Sequence, residues 1–209
     1  MNALIIIESL KKTIGYFISN LLDVISLINP ASVGPVTKNM KTRPLWFSRL
    51  YLLTISLAIF LGYFVYFSAF KEGPLSLENS LKVSLRNYFI AALLPMAMAY
   101  LLYLFDLRLV KVKVTHADAL TLISYACSLG ILGGIFRMLT EDQFIDTQIL
   151  HLIFLMYSIY LLYAMLGARF GFNTAIKPFM FLILSGFVVA IILYKVLEIV
   201  LMIPGYPGF

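Results

Sequence analysis

Residues 50–70 read LYLLTISLAIFLGYFVYFSAF, a run without Asp, Glu, Lys or Arg. A helix rises about 1.5 Å per residue, so about 20 apolar residues cross the roughly 30 Å hydrocarbon core of a bilayer. The run is long enough to do so. An outer helix of a soluble bundle keeps a polar face, and this run has none. It predicts a membrane-spanning helix.

Downstream the pattern repeats four times. A polar loop, 71–86, has Gly73-Pro74 as a breaker and the charges Glu78, Lys82 and Arg86. A second span over 88–105 carries Pro95, which is expected to kink or locally unwind it. A loop from Asp106 to His116 contains Arg108, Lys111 and Lys113, and a third span follows at 117–138. The next loop, 139–147, is acidic, with Glu141, Asp142 and Asp146; Thr140 and Gln143 have capping-box spacing. A fourth span covers 148–167. After Arg169, Gly171, Asn173 and Lys177, Pro178 suits the first turn of a fifth span, 178–201. Pro204, Gly205, Pro207 and Gly208 end that helix.

Upstream, residues 4–28 differ. Ile7, Leu10, Ile14, Phe17, Ile18, Leu21, Ile25 and Ile28 recur at helical spacing, with Glu8, Lys12, Ser19, Asp23 and Ser26 opposite. This is an amphipathic helix that either lies in the membrane interface or packs against the bundle. Spanning would carry Glu8, Lys11, Lys12, Asn20 and Asp23 into hydrocarbon at a high cost. Pro30, Gly34 and Pro35 then form a turn region, followed by Lys38, Lys41, Arg43 and Arg49 around the interfacial aromatics Trp46 and Phe47. The expected fold is all-α: a polytopic membrane helical bundle with five transmembrane helices, preceded by an amphipathic interfacial helix. Its parts are a cytoplasmic helix and basic lead-in at 1–45, a five-helix domain at 46–203 and a short tail at 204–209.

Composition agrees. The chain is 62% hydrophobic and 12% charged, with mean hydropathy +0.96; soluble domains carry about 25% charged residues. The net charge of +6 comes mostly from short stretches between apolar runs. It therefore reads as topology and anionic lipid rather than nucleic acid. Five spans place eleven of the Lys and Arg residues on the side of the N-terminus and five on the other. The positive-inside rule puts the N-terminus in the cytoplasm and the C-terminus outside. Lys38, Lys41 and Arg43 become the candidate contacts for anionic head groups, at about 1 kcal/mol for each near-surface cation.

The search for chemistry finds no catalytic, cofactor-binding or metal-ligating set. Cys127 is the only cysteine, so an internal disulfide and a cysteine cluster are excluded. His116, beside Asp118, and His151 fall on opposite faces in this topology, which disfavours a shared zinc site. Asp106 and Arg108 sit at a helix end, where solvation is the ordinary explanation. Lys195 and Glu198, three apart, fit a pair on one face. Tyr157, Tyr160 and Tyr163 read as packing. Arg169, Gly171 and Asn173 read as a solvated loop, or as a contact for phosphate head groups. Gly130 and Gly134 form a GxxxG pair, which allows close helix approach within the chain or between two copies.

The layout resembles the Yip1 family. The segment ending Leu27-Ile28-Asn29-Pro30 is similar to the family's proline-containing lead-in. The alanine-rich second span with Pro95, the Ser128–Gly134 stretch, and Tyr157-Ser158-Ile159-Tyr160-Leu161-Leu162-Tyr163 are similar to that domain. Gly167, Thr174, Ala175 and Pro178 look like the loop before its last span. The resemblance covers about residues 5–203. It implies five spans with a cytoplasmic N-terminus, and no catalytic residue. Eukaryotic members associate with small GTPases in vesicle traffic and usually carry a longer hydrophilic N-terminal region. This compact form looks more like the bacterial branch, which implies a bacterial inner membrane. The expected function is a non-enzymatic membrane scaffold or interaction protein, with a protein partner or a second copy of itself. The alternative is a small transporter or channel subunit for an ion or small solute. A lipid-modifying enzyme would need His, Asp or Ser clustered at one depth.

Overall fold

The computed structural model describes residues 3–70, 76–109, 114–133, 147–201 and 203. Among the described residues the secondary structure is helical. Helix α1 runs Ala3–Ser26, and a 3-10 turn, Pro30–Ser32, leads into α2, Val33–Asn39. Helix α3 runs Leu45–Val65 and ends in a π-helical turn, Tyr66–Phe70. Four longer elements follow: α4, Leu77–Leu109; α5, His116–Gly133; α6, Thr147–Phe170; and α7, Phe172–Val200.

Several boundaries differ from the hydropathy reading. Residues 77–86, expected as loop, are the first turns of α4, where Ser76 Oγ accepts the Asn79 N–H and Lys82 pairs with Glu78 one turn away. Helix α4 also runs through Pro95 without local unwinding. The expected loop between the last two spans shrinks to Gly171, whose φ of 86° a glycine adopts at no steric cost. Pro178 therefore lies inside α7 rather than in its first turn. Gly134, Lys71, Lys111, Lys113, the acidic residues Glu141, Asp142 and Asp146, and the 204–209 tail lie outside the described residues. So do the side chains of Asp106, Arg108, His151 and Asn173.

Four stretches are long and apolar enough to cross a membrane: Leu45–Ser68, Leu77–Phe105, Leu152–Phe170 and Ala175–Val200. Helix α5 is different. It packs against α3, α4, α6 and α1, and every residue from Ala119 to Ala126 is buried. A helix surrounded by protein can satisfy hydroxyl groups through neighbouring helices as well as its own backbone, and α5 carries Thr121, Ser124, Tyr125 and Ser128. Helices α3, α4, α7 and α6 pack side by side in that order around it.

The side between α3 and α6 is filled by the N-terminal segment. On α1, Tyr16 meets Phe47 and Phe17 meets Tyr51 of α3, with ring centres 5.4 and 5.3 Å apart. Helix α2 packs on α6. The Tyr157 hydroxyl of α6 donates to the carbonyl oxygens of Leu27 and Ile28, at 2.7 and 3.2 Å. Those carbonyls belong to the frayed end of α1, which lacks onward helical partners. Along α6, Tyr157 is about 18 Å from Arg169, so the α1–α2 turn reaches halfway down the bundle. Asn29 completes the turn by accepting the Ala31 N–H at its Oδ1. Helix α1 docks by an edge that combines Ser19, Asn20 and Asp23 with Tyr16, Phe17 and Val24, while Leu10, Ile14, Ile18, Leu22 and Ile25 point outward and are half or more exposed.

Candidate functional site: a polar clasp and an apolar cavity

The clasp is built on Arg43, in the extended segment between α2 and α3. Its Nε donates to Asn20 Oδ1 at 3.1 Å, and a terminal nitrogen donates to Ser19 Oγ at 3.3 Å. The guanidinium carbon lies 4.7 Å from the centre of the Tyr16 ring, within cation–π range. The Arg43 backbone N–H donates to Thr121 Oγ1. Asn20 Oδ1 also receives the Tyr125 hydroxyl at 2.7 Å, with Asp23 Oδ2 3.0 Å from the same hydroxyl. Deeper along α5, Ser128 is hydrogen-bonded to Tyr51 and donates to the Ser124 carbonyl. The polar edge of α1 and the hydroxyl face of α5 satisfy each other.

One level outward, Asp118 ties three segments together. Thr42 and Thr115 both donate to its carboxylate, and Arg169 lies 3.7 Å away. Thr115 Oγ1 in return accepts the Asp118 backbone N–H, forming a reciprocal cap on α5. His116 stacks on Tyr103 and meets Tyr100 edge to face. Partial burial, and then the charge of Arg49, lower its pKa from the ordinary histidine value.

At the opposite end, Lys195 pairs with Glu198 at 2.8 Å and Glu78 with Lys82. Arg86 of α4 donates to the Tyr194 hydroxyl of α7 at 2.9 Å. Between the two ends lies a cavity of about 450 Å³ walled by α3, α4, α5, α6 and α7. Leu94, Pro95, Cys127, Ile159 and Phe187 give its apolar character, and Asn87 and Ser158 are among its few polar side chains. No Asp, Glu, Lys, Arg or His lines it among the described residues.

Gly130 is used inside the chain. Its N–H donates to Ser158 Oγ at 2.7 Å, and a Cβ there would come within 2.8 Å of that oxygen. Gly133 presses on Phe154 of α6 more closely still. Tyr163 packs on Phe179 and Tyr157 on Tyr160, but packing alone misses the hydrogen bond that Tyr157 makes to the turn. The pairing of Lys195 with Glu198 is as the spacing predicts. Arg43 departs from its expected grouping with Lys38 and Lys41. Those two lysines are exposed, whereas Arg43 is half-buried in the clasp, where a planar fork of donors meets Asn20 and Ser19. Arg169 is held by Asp118 rather than left in a solvated loop.

A bundle of long apolar helices, exposing Leu184, Phe187, Ile191 and Ile199 on its outermost member, is that of a polytopic integral membrane protein. The Yip1 domain profile matches residues 25–196, most of the chain, from the end of α1 to within four residues of the end of α7. The protein belongs to the Yip1 domain family. No curated protein and no solved structure matches it.

Proposed function

We propose that this protein is a non-enzymatic scaffold of a bacterial inner membrane. It has five spans, with α5 as the central one, its N-terminus in the cytoplasm and its C-terminus outside. The distribution of Lys and Arg supports this orientation, and the position of α5 among the apolar helices supports the count. Helix α1 then enters obliquely from the cytoplasmic interface. Lys11 and Lys12 stay near head groups, and beyond its last turn Leu27 is buried in the bundle beside Tyr157 of α6. Exposed Lys38 and Lys41 lie near the same surface and suit anionic lipid.

One observation carries the scaffold reading. The buried polar groups of the lead-in are used to fasten α1 to α5, and this leaves a straight apolar edge, Leu10 to Ile25, facing outward. A helix edge fixed in place on the side of the bundle is a docking surface for a partner's membrane helix. The alternative, a small transporter or channel subunit, draws support from the cavity. The lining holds no Asp, Glu, Lys, Arg or His among the described residues, which suits an ion poorly.

Photocross-linking tests the scaffold. A photoreactive residue at Ile18 should yield one defined protein adduct in membranes, and the same residue at buried Val24 should not. Replacing Ile14 and Leu22 with Ser should abolish the adduct. Adducts to lipid alone, together with solute flux in proteoliposomes, would favour the transporter.

A further inference from the structure

The cavity and Arg86 fit together in a way the scaffold reading does not use. Arg86 is 7% exposed, and its Nε has no hydrogen-bond partner. Its guanidinium carbon lies 4.3 Å from the centre of the Tyr194 ring. The two carboxylates described at this end, Glu78 and Glu198, are taken by Lys82 and Lys195. Among the described residues, no carboxylate is within ion-pair distance of Arg86. A buried charge that meets no carboxylate among the described residues is costly to hold, and inside a membrane protein such a residue marks a functional position.

Its place in the fold says what the counter-ion belongs to. On α4, Arg86 is one helical turn from Ile90, which lines the cavity; on α7, Tyr194 is one turn from Ala190, which also lines it. The Arg86–Tyr194 contact is therefore the next rung beyond the cavity wall. The α3, α4, α6 and α7 residues that line the cavity fall inside the four apolar stretches. At that depth the surrounding medium is hydrocarbon, so an acyl chain fits the lining and water does not.

We propose that the cavity and Arg86 form a binding site for one anionic membrane amphiphile, its acyl chain in the cavity and its phosphate or carboxylate on the guanidinium. The guanidinium sits one turn beyond the lining, and its buried, unpartnered Nε and planar donor fork suit either acid group. The two sources are a phospholipid and a free fatty acid, and they share this chemistry.

The test is native mass spectrometry of the full chain released from membranes of equimolar phosphatidylglycerol and phosphatidylcholine, with and without added oleate. The wild-type protein should retain a single lipid and prefer phosphatidylglycerol over phosphatidylcholine by about tenfold, the scale of a charge-assisted hydrogen bond. If oleate is the retained species instead, the head is a carboxylate and the site takes a free acid. Arg86→Gln should bring the preference for the anionic species close to one. Gly186→Leu, which fills the cavity from α7, should remove the adduct. Equal retention of the two phospholipids without oleate retention, or no retained amphiphile, overturns the proposal on the wild-type protein alone. So does a folded Arg86→Gln variant with unchanged preference.

Discussion

The Tyr157 hydroxyl lies 2.7 Å from the Leu27 carbonyl oxygen, so a side chain from the middle of α6 holds the end of α1. That contact places the break between α1 and α2 at mid-height of the bundle. An open carbonyl at that depth has no water to turn to.

Tyr157→Phe removes the donor and leaves the ring. The variant should be destabilised by about 1–2 kcal/mol, the cost of leaving a buried acceptor unpaired. Thermal unfolding in detergent measures this. Limited proteolysis near Asn29–Ser32 should quicken in the variant. An unchanged midpoint with unchanged proteolysis would remove Tyr157 from any role in holding the turn.

Arg43→Lys should not rescue the clasp. A lysine keeps the charge but cannot reach Asn20 and Ser19 together while stacking on Tyr16. Both Arg43→Lys and Arg43→Ala should loosen α1, seen as faster amide exchange over residues 16–26. Wild-type protection in Arg43→Lys would mean that charge alone suffices.

Gly133→Ala should cost about 1–3 kcal/mol, because the new Cβ would lie 2.6 Å from the Phe154 Cβ and force α5 and α6 apart. Gly15→Ala, where nothing lies within 4 Å, is the control and should be neutral or slightly stabilising. A neutral Gly133→Ala would show that this helix pair yields easily.

Much of the bundle was legible in the sequence because lipid imposes a strong rule: a run such as 50–70 has one stable environment. The register of α1 was legible as well, since Ile14, Ile18 and Leu21 against Ser19 and Asp23 define two faces. Which face turns inward was not, because periodicity is silent about the medium on either side. In water the apolar face packs inward. Here Ser19, Asn20 and Asp23 meet the hydroxyls of α5 and the guanidinium of Arg43, and the isoleucines face out. Arg43 itself was grouped with Lys38 and Lys41 because neighbours in sequence share a charge. The contact that separates it from them comes from Asn20, folded back from more than twenty residues away. Arg86 was read as a loop charge for a similar reason: hydropathy falls near Lys82 and Glu78, although the helix has already begun.

The central claim is an odd number of spans, with the hydroxyl-bearing α5 counted as the central one alongside the four apolar stretches. It is tested most directly by labelling single cysteines with a membrane-impermeant maleimide in a Cys127→Ala background. Glu198→Cys should react in intact cells or right-side-out vesicles. Lys41→Cys and Lys177→Cys should react only once the membrane is opened. Lys41→Cys and Glu198→Cys reacting from the same side would contradict the account.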